Sequence, residues 1–140
     1  LLNEQGSHRQ ALDVLRRAYE LSPDGFEVNN NLGNVYLDLE RYEDAISHFQ
    51  TAVDRQDDDP SVRYNLAVAY LESDNLDRAE EVLNEVVRSD SRFWRAYHRL
   101  GEVYVSQDDG EAARTVLSQL LESNPEYEER QAVERILDSL

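Results

Sequence analysis

The feature that most constrains this chain is a period. Ala11, Ala45, Ala79 and Ala113 recur at one constant interval, thirty-four positions, and Leu32, Leu66 and Leu100 keep the same step. So do Tyr36, Tyr70 and Tyr104, and the column Leu15, Phe49, Leu83 and Leu117. Pro23 and Pro125 are three steps apart. Independent columns sharing one ungapped period mean stacked supersecondary units, each burying its apolar face against its neighbours. Within a unit the pattern is helical twice over. Leu32, Val35, Tyr36 and Leu39 lie at i, i+3, i+4 and i+7, and Tyr42, Ala45, Ile46, Phe49, Ala52 and Val53 form a second stripe. Gly33, Ala67 and Gly101 are small, which lets the two helices approach closely. Pro23 and Pro125 stop the second helix, because proline lacks the N–H and clashes with the preceding turn. Pro60 opens a helix instead, where the missing N–H costs nothing. The expected fold class is all-α.

Composition narrows the function. There are no cysteines among the 140 residues, so disulfides, zinc–thiolate sites and thiol nucleophiles are excluded. Thirty acidic residues against 14 arginines and no lysine give a net charge of −16. That field repels phosphate backbones and anionic lipid, so the expected partners include neither nucleic acid nor membrane. An acidic, lysine-free chain fits a proteome adapted to high salt, or equally an acidic domain from a GC-rich genome. Methionine is also absent, and the chain is expected to be a piece of a longer protein, cytoplasmic rather than secreted. Catalytic constellations are missing from the sequence. His8, His48 and His98 fall at unrelated places in the period, and no phosphate-binding glycine loop, His-Glu-x-x-His or serine elbow occurs. The triplet Asp57-Asp58-Asp59 lacks the spaced oxygens and glycine of a calcium loop and reads as a solvated turn. No enzyme activity, cofactor or metal is expected.

The pattern resembles the tetratricopeptide repeat. Residues 26–59 supply Leu32, Gly33, Tyr36, Ala45, Phe49 and Ala52; residues 60–93 supply Leu66, Ala67, Tyr70, Ala79, Leu83 and Val86. Residues 94–127 supply Tyr97, Leu100, Gly101, Tyr104, Ala113, Leu117, Leu120 and Pro125. The resemblance implies a right-handed superhelical solenoid of antiparallel helix pairs, forming a single domain over 1–140. Its parts would be a partial repeat (1–25), three full repeats (26–59, 60–93, 94–127) and a C-terminal capping helix (128–140). Leu1 and Leu2 would end one helix and residues 8–21 would form the next. Asn29 and Arg63 occupy the place where the family sets a large packing residue, so packing there is expected to be weak.

In this family the first helices line a concave groove that holds a segment of another protein. The groove residues implied here are Asn30, Asn34, Tyr64, Asn65, Arg95, His98 and Arg99. A primary amide both donates and accepts, so it pairs with any peptide backbone. A guanidinium fork suits a carboxylate bidentately. Asn34, Asn65, Arg95 and Arg99 match four positions of the family's carboxylate clamp, and Asn30 stands where the clamp has lysine. Plainer roles remain open: arginines paired with Glu102 or Glu72, and Tyr64 at the edge of the core. The expected function is a protein–protein interaction module for a peptide segment. The alternative is a scaffold self-assembling through repeat ends. A weak homodimer through the N-terminal helices is expected, because the stripe Ala11, Leu12, Leu15, Ala18 and Tyr19 would be covered only by Leu1 and Leu2.

Overall fold

The computed structural model describes residues 2–55 and 59–140, with side chains from residue 4 onward. Leu1, the side chain of Leu2, and Asp57 and Asp58 of the acidic triplet lie outside the described residues. Among the described residues there are eight helices and no strand: α1 (Leu2–Leu21), α2 (Phe26–Asp38), α3 (Tyr42–Arg55), α4 (Pro60–Glu72), α5 (Leu76–Ser89), α6 (Trp94–Ser106), α7 (Gly110–Ser123) and α8 (Arg130–Ser139). The closest pairings are α2 with α3, α4 with α5 and α6 with α7. Each pair then packs on the next, and α2, α4 and α6 also touch in series. This is an all-α solenoid, as the period requires. Among the described residues no helix is long and apolar enough to cross a membrane.

One turn is built three times. The backbone N–H groups of Arg41, Asn75 and Asp109 donate to the carbonyls of Tyr36, Tyr70 and Tyr104, each at 2.8 Å. The preceding residues, Glu40, Asp74 and Asp108, donate to Leu37, Leu71 and Val105 and take φ of 59°, 64° and 58°. This is the Schellman stop with a left-handed residue after the helix, made here without glycine. The register puts Gly6 at the same place, one full period before Glu40. Yet Gly6 lies inside α1, which runs unbroken from residue 2 to 21. The expected break between a helix ending at Leu2 and another starting at residue 8 is therefore absent. Continuing the helix keeps the backbone groups of this stretch in the hydrogen-bond ladder. His8 also ties this stretch to α2, with Nε2 3.4 Å from Asp38 Oδ2.

The period is the core. Ala45, Ala79, Ala113, Phe49, Leu83 and Leu117 are 0% exposed. Close approach explains the small column. A Cβ built on Gly33 would lie 2.5 Å from the Phe49 ring, and one on Gly101 would lie 2.3 Å from Leu117 Cδ2. Pro60 opens α4 with Asp59 as its cap, its carboxylate accepting from Ser61 N at 2.9 Å.

The expected weak packing at Asn29 and Arg63 is overturned. Asn29 is among the most buried side chains. Its Nδ2 donates to the carbonyls of Pro23 and Gly25 at 2.9 and 2.8 Å, leaving Oδ1 to accept from His48 Nδ1 at 2.9 Å. That pairing fixes the His48 tautomer with the proton on Nδ1. The ring stacks on Tyr36 and meets the edge of Tyr19. Arg63 is largely buried along its length and pairs with Glu85 at 3.5 Å. A polar residue fills a core position at low cost when each of its groups finds a partner.

Candidate functional site

The expected groove residues lie on α2, α4 and α6, which touch in series, and the helical period of 3.6 brings residues three and four apart onto one face. On α6 this aligns Arg95, His98, Arg99 and Glu102. Opposite them on α4 stands Tyr64, which is buried at 8% exposure. Its hydroxyl accepts from Arg99 Nε at 3.2 Å, and its ring lies 5.1 Å from that of Phe93. Arg99 is further held by Glu102, with Nη1 2.9 Å from Oε2. Burial opposes the charge on Arg99, but Tyr64 and then Glu102 outweigh it and raise its pKa above the ordinary value. Arg99 is thus already engaged within the chain.

Arg95 is different. It is exposed, and its guanidinium lies over the rings of Tyr64 and Phe93, 5.4 and 5.8 Å from their centroids. Among the described residues no carboxylate is ion-paired with it. The aromatic faces orient the cation while leaving its N–H fork to solvent. His98 is nearly buried. Its Nδ1 lies 3.1 Å from the Tyr127 hydroxyl and 3.3 Å from Glu129, and its Nε2 lies 3.6 Å from Glu102. Burial, and after it the charge of Glu129, raises the Tyr127 pKa. Tyr127 therefore remains a protonated donor toward Glu129, at 3.4 Å.

These groups enclose a cavity of about 360 Å³, lined by Tyr64, Arg95, His98, Arg99, Glu102 and Tyr127 with Glu128 and Glu129. Four of the seven expected groove residues meet there. Asn30 and Asn65 do not line it but meet each other, Asn65 Nδ2 donating to Asn30 Oδ1 at 3.4 Å. Asn34 stands apart, in a slot between α1 and α2. Sequence reasoning missed Phe93 and Tyr127. A signal existed: the two aromatics are one period apart, each near the entrance to the next helix. The first packs on Tyr64 and the second on His98.

Three family models described as tetratricopeptide repeat match residues 1–60, 36–100 and 95–127. The chain is a tetratricopeptide repeat protein. No curated protein sequence matches it. Solved structures do resemble this tetratricopeptide protein. MamA from Desulfovibrio magneticus, 23% identical, has a TM-score of 0.82 over 91% of this chain and 72% of its own. YrrB, described as a TPR protein with an unusual peptide-binding site, is 20% identical and has a TM-score of 0.85 over 94% and 68%. The first TPR of Spaghetti, solved with the HSP90 peptide SRMEEVD, is 24% identical and has a TM-score of 0.73 over 81% and 91%. At these identities the likeness is one of fold. Among the described residues no cluster of histidine and acidic side chains is arranged to hold a metal.

Proposed function

We propose that this tetratricopeptide protein is an interaction module whose groove holds a peptide segment of a partner by a carboxylate. The observation that carries the reading is Arg95, a cation mounted on two aromatic rings with its fork open to solvent. Asn30 and Asn65 continue the groove as backbone-pairing amides, and Asn34 extends it toward α1. Arg99 and His98 act from behind: they hold Tyr64 and Tyr127 in place and contribute little free surface. The reading is supported by two proteins of the same fold that engage peptides. Among the described residues Arg95 has no ion-pair partner while Arg99 is engaged, which distinguishes this groove from a clamp with several open cations.

Trp94, the only tryptophan, adjoins Arg95 and reports binding by its fluorescence. The probes are acidic peptides with free and amidated C-termini, SRMEEVD among them. The free acid is expected to bind, with Arg95→Ala weakening it about tenfold or more, as a lost charge-assisted hydrogen bond does. Asn65→Ala should weaken acid and amide alike. Equal affinity of wild type and Arg95→Ala overturns the site.

A further inference from the structure

Arg95 borders two cavities. One is the cavity it shares with His98 and Arg99. The other, of about 540 Å³, lies between the connection from α5 to α6 and the connection from α7 to α8. Of the expected groove residues only Arg95 lines this second cavity. Its aromatic lining comes from Phe93, Trp94 and Tyr127, and Trp94 is held by Tyr97, their ring centroids 5.7 Å apart. Its charged lining is one-sided: Asp90, Glu126, Glu128 and Glu129 are balanced only by Arg92 and Arg95. Two of these acids are in use. Asp90 Oδ1 accepts from the Arg92 backbone N–H at 3.0 Å, and Glu129 accepts from the Tyr127 hydroxyl at 3.4 Å. Glu126 and Glu128 are exposed, and among the described residues neither has a hydrogen-bond or ion-pair partner.

We propose that this second cavity takes a basic side chain of the same partner segment whose carboxylate Arg95 holds, so that the preferred partner ends in a free C-terminal arginine. Aromatic rings beside carboxylates suit a cation, because the ring faces attract it and the carboxylates accept its N–H groups. A guanidinium fits better than an ammonium, being planar, more weakly hydrated and able to stack on a ring. An apolar side chain would take water from Glu126 and Glu128 without replacing its hydrogen bonds. An acidic one would add a like charge to an acidic lining. Arg95 also fixes the spacing. It lines both cavities, so a carboxylate on Arg95 and a cation in the second cavity stand within the reach of one residue, and a C-terminal arginine carries both groups. The two contacts help each other. The charge of Arg95 opposes a cation in the cavity, and a carboxylate bound to Arg95 offsets that charge and leaves the acids in excess. The location rests on the carboxylate reading of Arg95, whereas the choice of a cation rests on the second cavity alone.

Isothermal titration calorimetry tests this with peptides that differ only in the last residue: arginine, citrulline, leucine or aspartate as free acids, and arginine as the amide. Citrulline keeps the length and shape of arginine without its charge. The arginine acid should bind about tenfold more tightly than the citrulline acid, and the aspartate acid should bind most weakly. Glu126→Arg, an exposed substitution, should erase the arginine advantage and leave the citrulline affinity unchanged. Glu20→Arg, the same reversal on α1, should leave the advantage intact. Arginine and citrulline acids that bind equally, both weakened by Arg95→Ala, overturn this proposal and leave the carboxylate site standing. Leucine that binds as tightly as arginine overturns it too, and makes the cavity an apolar one. An advantage that survives Glu126→Arg, or that Glu20→Arg lowers as much, belongs to the net charge of −16 and overturns the pocket assignment. An arginine amide that binds like the acid and ignores Arg95→Ala overturns both readings.

Discussion

The outer helices α1 and α8 of the described solenoid fill the same columns in opposite ways. A helix pair cannot bury its apolar face alone, so an outer face is either polar or in want of a neighbour. At the α8 end the residues change. Val133 is buried against the preceding pair, Glu134, Arg135 and Asp138 occupy columns that are apolar or small elsewhere, and Tyr127 closes over His98. On α1 the columns of Ala11, Leu15 and Ala18 keep their apolar identity but are only half-buried, and Val14 stands open. The two regions thus differ in chemistry: around α6 and α8 a polar network engages His98, Arg99 and Tyr127 and leaves Arg95 without an ion pair among the described residues, whereas α1 borders an uncharged slot of about 590 Å³.

The largest expected effect tests this contrast within one column. Leu117→Ala should cost about 2–5 kcal/mol in urea unfolding, as full burial implies. Leu15→Ala should cost only about 1 kcal/mol at concentrations where the chain is monomeric. Equal losses would mean that α1 is covered after all. Glycines sharpen the comparison at smaller amplitude. Gly101→Ala should destabilise by about 1–3 kcal/mol, because the added carbon collides with Leu117. Gly6→Ala should stabilise by up to about 1 kcal/mol, since it lies in a helix with nothing within 4 Å of the added carbon. A loss at Gly6 would indicate that this residue takes the left-handed turn of Glu40 in solution.

The smallest effect is a pH dependence confined to the α1–α3 region. Burial lowers the His48 pKa below its ordinary value of 6.5, and Asp44 only partly offsets this. The folded chain therefore holds fewer protons on His48 than the unfolded chain. That contribution to stability is complete above the unfolded value and is lost as pH falls below it toward the lower folded value. His48→Gln retains a donor for Asn29 without titrating. The difference in melting temperature between wild type and variant should therefore move against wild type as pH drops from 7 to 5. A difference that does not change with pH would remove His48 as the cause.

Much of this architecture is legible in the sequence because it is periodic. A column that recurs in every unit states its environment several times over, so the spacing alone marks Ala45, Phe49, Gly33 and Gly101 as packing residues. It also marks the proline ends, while the choice of the first helices as the groove side came from the resemblance to the tetratricopeptide family and the three left-handed stops from the structure. Polar pairings have no such redundancy. They depend on distances of about 3 Å between side chains of different units, and one unit's arrangement does not predict the next. Tertiary structure alone shows that Asn29 is a satisfied core residue bound to His48, and that Arg99 is engaged by Tyr64 and Glu102 while Arg95 is open. It alone shows His98 buried beneath Tyr127. Even Gly6, which the register aligns with the left-handed Glu40, lies inside α1, where its backbone groups belong to the helix ladder and a glycine accepts either conformation.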